Sequence, residues 1–127
     1  MIEGELYTRL TTHAGTAALV GTRVWPLVMP QGGKLPAIVY QKVSDVRVYS
    51  HDGDSDLIRS RFQVGCYAKN YDDVKALEAQ VVDALSGYAD RTLGTPVEAS
   101  FMDMAFDDYE PDVKIYRVMV DFKVWHA

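Results

Sequence analysis

The stretch NYDDVKALEAQVVDALS, residues Asn70 to Ser86, decides the fold because it is the clearest helix in the chain. Asn70 is a favoured N-cap residue, since its side chain can accept a hydrogen bond from a free amide of the first turn. Gly87 stands where a left-handed residue closes a helix. Apolar residues recur every three or four positions and form one stripe, which comprises Val74, Leu77, Val81, Leu85 and Tyr88. A helix with one apolar stripe packs on one surface, and we predict that this surface is a sheet.

Two pairs of strands flank this helix in the sequence. Ala37 to Ser44 is rich in β-forming residues, and Asp56 to Ala68 alternates apolar and polar side chains. The same alternation runs from Tyr116 to Trp125. Val97 to about Phe106 is expected to form the remaining strand, and an acidic turn from Asp107 to Asp112 is expected to follow it.

The N-terminal segment predicts a second main helix. Apolar residues recur at helical spacing between Ile2 and Leu10. Gly15 is expected to end this helix, and Thr16 to cap a short second turn. The element order is then α-β-β-α-β-β. We predict an α+β fold in which a largely antiparallel four-stranded sheet carries two main helices on one face, in a single domain spanning residues 1–127.

Composition limits the classes of function. The net charge is −5, and the thirteen lysines and arginines are scattered, which disfavours tight binding to nucleic acid because phosphates are bound by basic patches. No apolar run approaches the length of about 20 residues that spans a bilayer. The acidic start of the chain indicates no signal peptide, and the single cysteine, Cys66, suits a chain that folds in a reducing cytosol.

The stretch SHDGDSDL, residues 50–57, contains three alternating aspartates, Asp52, Asp54 and Asp56. A helix–loop–helix calcium site counted from Asp52 requires glycine at Leu57 and a bidentate glutamate at Gln63. Both requirements fail. We therefore expect the polar tip of a β-hairpin rather than a metal site.

No other motif predicts catalysis or a cofactor site. His13, His51 and His126 lie in separate segments without a nearby metal-ligand partner, and each is expected at the surface or rim. Cys66 lies on the apolar side of its strand, where a thiol behaves as a small hydrophobic group. A small enzyme that uses a carboxylate of the acidic turn or Cys66 stays open as the less favoured alternative.

Large side chains at positions expected to face outward indicate a protein–protein interface, because interfaces are enriched in tryptophan, tyrosine, methionine and arginine. The segment from Arg23 to Lys34, with two prolines and two glycines, is expected to be an ordered but irregular loop. The alternative to an interface is that this proline-rich loop folds back and buries its share of these side chains. The interface candidates are Trp25, Leu27 and Met29 in the loop and Tyr67, Met119 and Trp125 on the strands.

The chain resembles the small tail-completion proteins of long-tailed bacteriophages. The resemblance rests on LVGTRVWPL at 19–27, MPQG at 29–32, LPAIVYQ at 35–41, RFQVGCYA at 61–68 and YRVMVDFKVW at 116–125. These segments occur in the same order and at similar spacings as in that family, over almost the whole chain. The family offers no catalytic motif to transfer.

The resemblance implies a virion structural protein, a ring that is typically hexameric and caps the finished tail tube at the head–tail junction. It implies that the partners are copies of the chain itself, the tail-tube protein and the head–tail connector protein, after assembly in the cytoplasm of the host bacterium. Neither a cofactor nor a membrane partner is implied. A neck or head-completion adaptor of similar size is the second interpretation.

A ring at this place would let DNA pass through its lumen without binding it. Acidic residues lining the lumen would repel the DNA. The lumen candidates are the aspartates of the two predicted turns, Asp52, Asp54, Asp56, Asp107 and Asp108.

Overall fold

The structure, a computed structural model, describes the backbone of residues 1–50 and 53–127 and the side chains of residues 1–49 and 57–127. It has three helices and five strands. The helices are α1 (Ile2–Thr12), α2 (Ala14–Val20) and α3 (Tyr71–Leu85), and the strands are β1 (Val24–Pro26), β2 (Ala37–Ser50), β3 (Gly53–Ala68), β4 (Val97–Glu110) and β5 (Ile115–His126). Among the described residues no helix is long and apolar enough to cross a membrane.

The five strands form one sheet in the order β1-β2-β3-β5-β4. The three pairs among β2, β3, β5 and β4 are antiparallel, and β1 runs parallel to β2. The prediction of an α+β fold with a largely antiparallel sheet is confirmed. Its count of four strands is wrong, because β1 lies in the segment expected to be an irregular loop. A strand of three residues is too short to show alternation in its sequence. Its place in the sheet is set by pairing with β2, where Val24 lies opposite Ile38.

The core lies between the helices and one face of the sheet, where α3 packs against β3, β4 and β5. The alternation predicted for β3 and β5 is confirmed, since Phe62 and Val64 on β3 and Val120 and Phe122 on β5 are fully buried. Burying each such side chain contributes about 1.5–3 kcal/mol. Helix α3 is also confirmed, with Oδ1 of Asn70 accepting a hydrogen bond from the backbone N–H of Asp73 at 2.8 Å.

The N-terminal helices divide at His13 rather than at Gly15, so the predicted helix end is wrong. His13 is extended, and its Nδ1 accepts a hydrogen bond from the backbone N–H of Thr16 at 3.3 Å, which caps α2. Gly15 lies inside α2, where a Cβ atom would collide with the side chain of Gln80 on α3. The glycine therefore permits close packing of two helices instead of ending one.

Both hairpins are longer than predicted. β2 continues to Ser50 and β3 begins at Gly53. The acidic turn expected from Asp107 is also wrong, because Asp107 and Asp108 belong to β4 and the turn comprises residues 111–114. These aspartates are compatible with a strand because β4 lies at the edge of the sheet, where charged side chains reach water.

Candidate functional site

The helices leave the second face of the sheet uncovered, and an apolar row crosses it. Strand register places Trp25 opposite Val39, Val39 opposite Gly65, Gly65 opposite Met119 and Met119 opposite Phe106. We call these five residues, one from each strand, the apolar row. Cross-strand neighbours of this kind lie about 4.5–5.5 Å apart, so their side chains pack against each other. The row is a continuous apolar band on the open face.

Gly65 determines the shape of the row at its centre. A Cβ atom at this position would lie 2.9 Å from a ring carbon of Tyr67 and 3.2 Å from the Sδ atom of Met119. Both side chains therefore lie over the glycine, and each is half-buried. The structure thus brings together three of the six interface candidates, Trp25, Tyr67 and Met119.

The other three interface candidates lie elsewhere. Trp125 packs edge-on against Phe101 with ring centroids 6.2 Å apart, roughly 20 Å along β5 from Met119. Leu27 is exposed beside Tyr40, and Met29 lines a cleft at the end of the sheet. Three of the six candidates therefore lie on one band of the open face, and the other three lie at separate places.

An ion pair between an exposed arginine and a buried carboxylate lies beside the apolar row on the open face. The guanidinium of Arg61 on β3 donates to Oδ2 of Asp121 on β5, with Nη2 at 2.6 Å. Asp121 is only 1% exposed, and its Oδ1 has no hydrogen-bond partner in the described part of the chain. The Asp121 carboxylate therefore depends on one cation, because a buried charge is costly without a partner.

Each described lumen candidate is paired with a cation. Asp107 accepts from Lys75 at 3.2 Å and from the Tyr71 hydroxyl at 3.0 Å, and the Lys75 bond lowers the pKa of the carboxyl. On the other side of β4, Asp108 accepts from Nε of Arg117 at 2.7 Å, which lowers its pKa likewise. These pairs reduce the negative field of β4. Asp52 lies outside the described residues, as do the side chains of Asp54 and Asp56.

The outer edge of β4 is open beyond Met102, whereas residues 86–90 form hydrogen bonds with its first part, at Val97, Ser100 and Met102. β4 ends the sheet and contains no lysine, arginine or proline. Natural sheets protect such edges with charged side chains, proline, bulges or short strands, and β4 has five carboxylates and a bulge between Met102 and Met104. Large apolar side chains are exposed on both sides of the strand, namely Phe101, Met102, Met104, Phe106 and Tyr109. The prediction from sequence missed this edge, because a strand that is apolar on both sides shows no alternation.

The opposite edge of the sheet is also open over most of its length. β1 pairs only with residues 38–40 of β2. Beyond Tyr40, within the residues that the structure describes, the outer side of β2 has no strand beside it. Val43, Val46 and Tyr49 are exposed there. Within the described residues the sheet therefore has two free edges, which are β4 beyond Met102 on one side and β2 beyond Tyr40 on the other.

A partly buried polar cluster, with Ser60 and His126 buried and Asp45 exposed, joins three strands near the end of β5. Oγ of Ser60 donates to Oδ1 of Asp45 at 2.5 Å and lies 2.6 Å from Nε2 of His126. Burial would raise the pKa of Asp45, but hydrogen bonds from Ser60 and Lys42 outweigh it and lower the pKa. His126 is buried, so its expected place at the surface or rim is wrong. The serine stands between the carboxylate and the imidazole, so the carboxylate does not orient the histidine as a catalytic triad requires.

The chemistry of Cys66 also differs from that of a nucleophile. The thiol is fully buried, and burial raises its pKa, so it stays protonated at neutral pH. Within residues 1–50 and 53–127, no group of three or more histidine, cysteine, aspartate or glutamate side chains is arranged to hold a metal ion. The open face and the two free edges are therefore the strongest candidate functional site.

Comparison with known proteins gives a family and a fold. The family model described as tail completion protein gp17 matches residues 4–127. A chain in the virion of the native gene transfer agent (GTA) particle has a similar structure, with a TM-score of 0.73 and 20% identity. That match covers 95% of this chain and 90% of the other, and at this identity it concerns the fold alone. No curated protein matches the chain.

Proposed function

The chain belongs to the tail completion protein gp17 family and is a structural protein of the phage tail, and from this premise we propose that it forms a ring that caps the tail tube. The ring would join the tube to the head–tail connector, with six copies as the expected number. Its partners would be its own copies, the tail-tube protein and the connector protein, and it would assemble in the cytoplasm of the host bacterium. We also propose that residues 1–127 form one domain, because a single buried cluster joins its helices and strands.

The two free edges carry the proposal of a ring. Within the sheet β4 is antiparallel to β5, β5 to β3 and β3 to β2, so β4 runs antiparallel to β2. Two copies placed side by side in the same orientation therefore bring β4 of one against β2 of the next in an antiparallel arrangement. This contact joins two different surfaces, and such a contact closes into a ring when the rotation between copies is suitable.

The apolar row supports the same arrangement. Trp25 and Phe106 lie at its two ends, on the two strands that form opposite edges of the sheet. Each can therefore contact a different neighbour, while Tyr67 and Met119 lie near the centre. Trp125, Leu27 and Met29 lie outside this row and remain candidates for contacts with other virion proteins.

We propose that the hairpin tip with Asp52, Asp54 and Asp56 lines the lumen, because its sequence carries three carboxylates and no lysine or arginine. Asp107 and Asp108 are weaker candidates, since each is paired with a cation. Protein function would then depend on shape and charge rather than on catalysis. The buried, protonated thiol of Cys66 supports this view.

The test is the assembly state of an edge variant. Phe106→Lys places a charge on the free edge of β4, whereas Val28→Lys places the same charge in an exposed loop. By negative-stain microscopy and light scattering, with purified tail tubes present, we expect rings for the wild type and Val28→Lys but not for Phe106→Lys. Rings of unchanged number and size in Phe106→Lys would contradict the edge contact.

A second experiment separates the ring cap from the neck adaptor. Tagged protein is mixed in parallel with purified tail-tube protein and with purified connector protein. Retention of the tail-tube protein supports the cap. Retention of the connector protein alone would favour the neck or head-completion adaptor instead.

A further inference from the structure

A cleft of about 860 Å³ lies at the end of the sheet, between the loop before β2 and the β4–β5 turn. Three lysines line it, Lys34 from the loop, Lys69 after β3 and Lys114 from the turn. Among the residues that the structure describes, no aspartate or glutamate contributes to its lining. We call this feature the lysine cleft.

The three lysines differ from almost every other cation of the chain. Lys34, Lys69 and Lys114 form no ion pair or hydrogen bond through their ammonium groups within the described part of the chain, and Arg59 is the only other basic residue there of which this is true. The partners of the other cations are mostly carboxylates. Three of the four lysines and arginines without such a partner in the described residues therefore meet in one cleft, although the net charge of the chain is −5.

This distribution of charge favours an anionic ligand. A cleft lined by one sign of charge concentrates its field and raises the local concentration of ligands of the opposite sign. Lysine ammonium groups bind carboxylates and phosphates as compact point charges. The cleft would attract either group while the rest of the surface repels it.

The apolar part of the lining favours a polypeptide over DNA as the anionic ligand. Met29, Leu35, Val113 and Ile115 lie in the same cleft. A polypeptide offers apolar side chains beside its carboxylates, whereas a DNA duplex presents phosphates and leaves an apolar lining without a partner. The acidic surface of the chain also opposes DNA, because phosphate contacts dominate affinity for it.

We propose that the lysine cleft binds an acidic polypeptide segment of a neighbouring virion protein, in which carboxylates alternate with apolar residues. Only the description of the partner as a virion protein depends on the proposed function. The charge and shape of the cleft are properties of the single chain. The cleft lies at the end of the strands, beside the turn that follows β4, rather than along the open part of β2.

Fluorescence anisotropy with a labelled peptide tests the proposal. The probe is a short peptide in which aspartate alternates with leucine, and the matched probe has asparagine in place of aspartate. We expect Lys34→Gln/Lys69→Gln/Lys114→Gln to weaken binding of the acidic probe about 10-fold or more, since each exposed charge pair adds a modest increment. The control Lys75→Gln/Arg91→Gln/Lys123→Gln removes the same charge elsewhere and is expected to bind within about twofold of the wild type.

Three results would overturn the proposal. These are equal binding of the asparagine probe, equal weakening in the control variant, and binding of a short DNA duplex in preference to the acidic peptide. Light scattering of the same samples keeps the two proposals separate. Loss of peptide binding in a variant that still forms rings supports the cleft, whereas absence of wild-type peptide binding with intact rings removes the cleft and leaves the ring proposal standing.

Discussion

β4 and β5 lie side by side in the sheet and have similar lengths, 14 and 12 residues, but they differ in what covers them. Every second residue of β5 from Val118 to Val124 is fully buried against the helices. On β4 the large apolar residues from Phe101 to Phe106 are between 43% and 52% exposed. The apolar content of β5 forms the core, while that of β4 remains open to a partner.

The difference concerns position in the sheet rather than composition. β5 lies between two strands and under α3, so its alternation follows directly from one buried face. β4 has one neighbouring strand, and its apolar residues point to both faces of the sheet. An edge strand of this kind is a template for pairing with another chain.

The largest effect should come from truncating one phenylalanine on each strand. Phe122→Ala removes a fully buried ring from β5 and is expected to lower the free energy of unfolding by about 3–5 kcal/mol. Phe106→Ala on β4 is expected to cost less than about 1 kcal/mol, because the ring is already half exposed. Urea denaturation at a concentration where the chain is monomeric measures both. Similar losses for the two variants would mean that β4 is covered in the isolated chain.

A smaller effect is expected from the ion pair on the open face. Arg61→Ala leaves the buried carboxylate of Asp121 without its cation and should cost about 1–3 kcal/mol, reduced from the value for a fully buried pair because Arg61 is 44% exposed. The matched change Arg117→Ala on the β4–β5 pair should cost less than about 1 kcal/mol, since Asp108 is 40% exposed. In an Asp121→Asn background, Arg61→Ala should lose most of its effect. An undiminished cost there would show that Arg61 acts through packing.

The smallest effect is a pH dependence assigned to β4. Because Arg117 lowers the pKa of Asp108 below its ordinary value of 3.8, the folded state binds this proton less readily than the unfolded state. The stabilisation is fully present above about pH 4 and is lost as the pH falls through the lowered pKa. Acid titration of unfolding in Asp108→Asn should therefore show a shallower loss of stability below about pH 4 than in the wild type. An identical titration curve would exclude a contribution from this pair.

The helices and strands that the sequence predicts correctly are those long enough to show a full repeat of apolar and polar residues. α3 has five buried positions on one face, and β3 and β5 alternate cleanly, so each shows its buried face in its own residues. β1 is too short for any period, and the cap of α2 is a histidine, which is not a common N-cap residue. The end of β4 was misassigned because Asp107 and Asp108 are typical of turns, whereas here they lie on an edge strand that reaches water.

The candidate site was less predictable because it depends on register. Trp25, Tyr67 and Met119 are far apart in the sequence, and only the pairing of four neighbouring strands places them on one band. The same applies to the cluster of Asp45, Ser60 and His126, whose members belong to three strands. No local spacing indicates such contacts, since they arise from long-range pairing.

If β4 pairs with a second copy as proposed, its open part beyond Met102 also has a consequence for the chain before assembly. An edge that accepts a second copy does not by itself limit how many copies follow, because the same contact yields a closed ring or an endless fibre depending on the angle between copies. Six copies close when each is rotated by about 60° from the last, and the twist of the sheet contributes to that angle. A substitution that alters twist at the edge without weakening it would then turn a finite assembly into an unlimited one. The tail tube, by offering a fixed circular template, would protect the chain from that outcome.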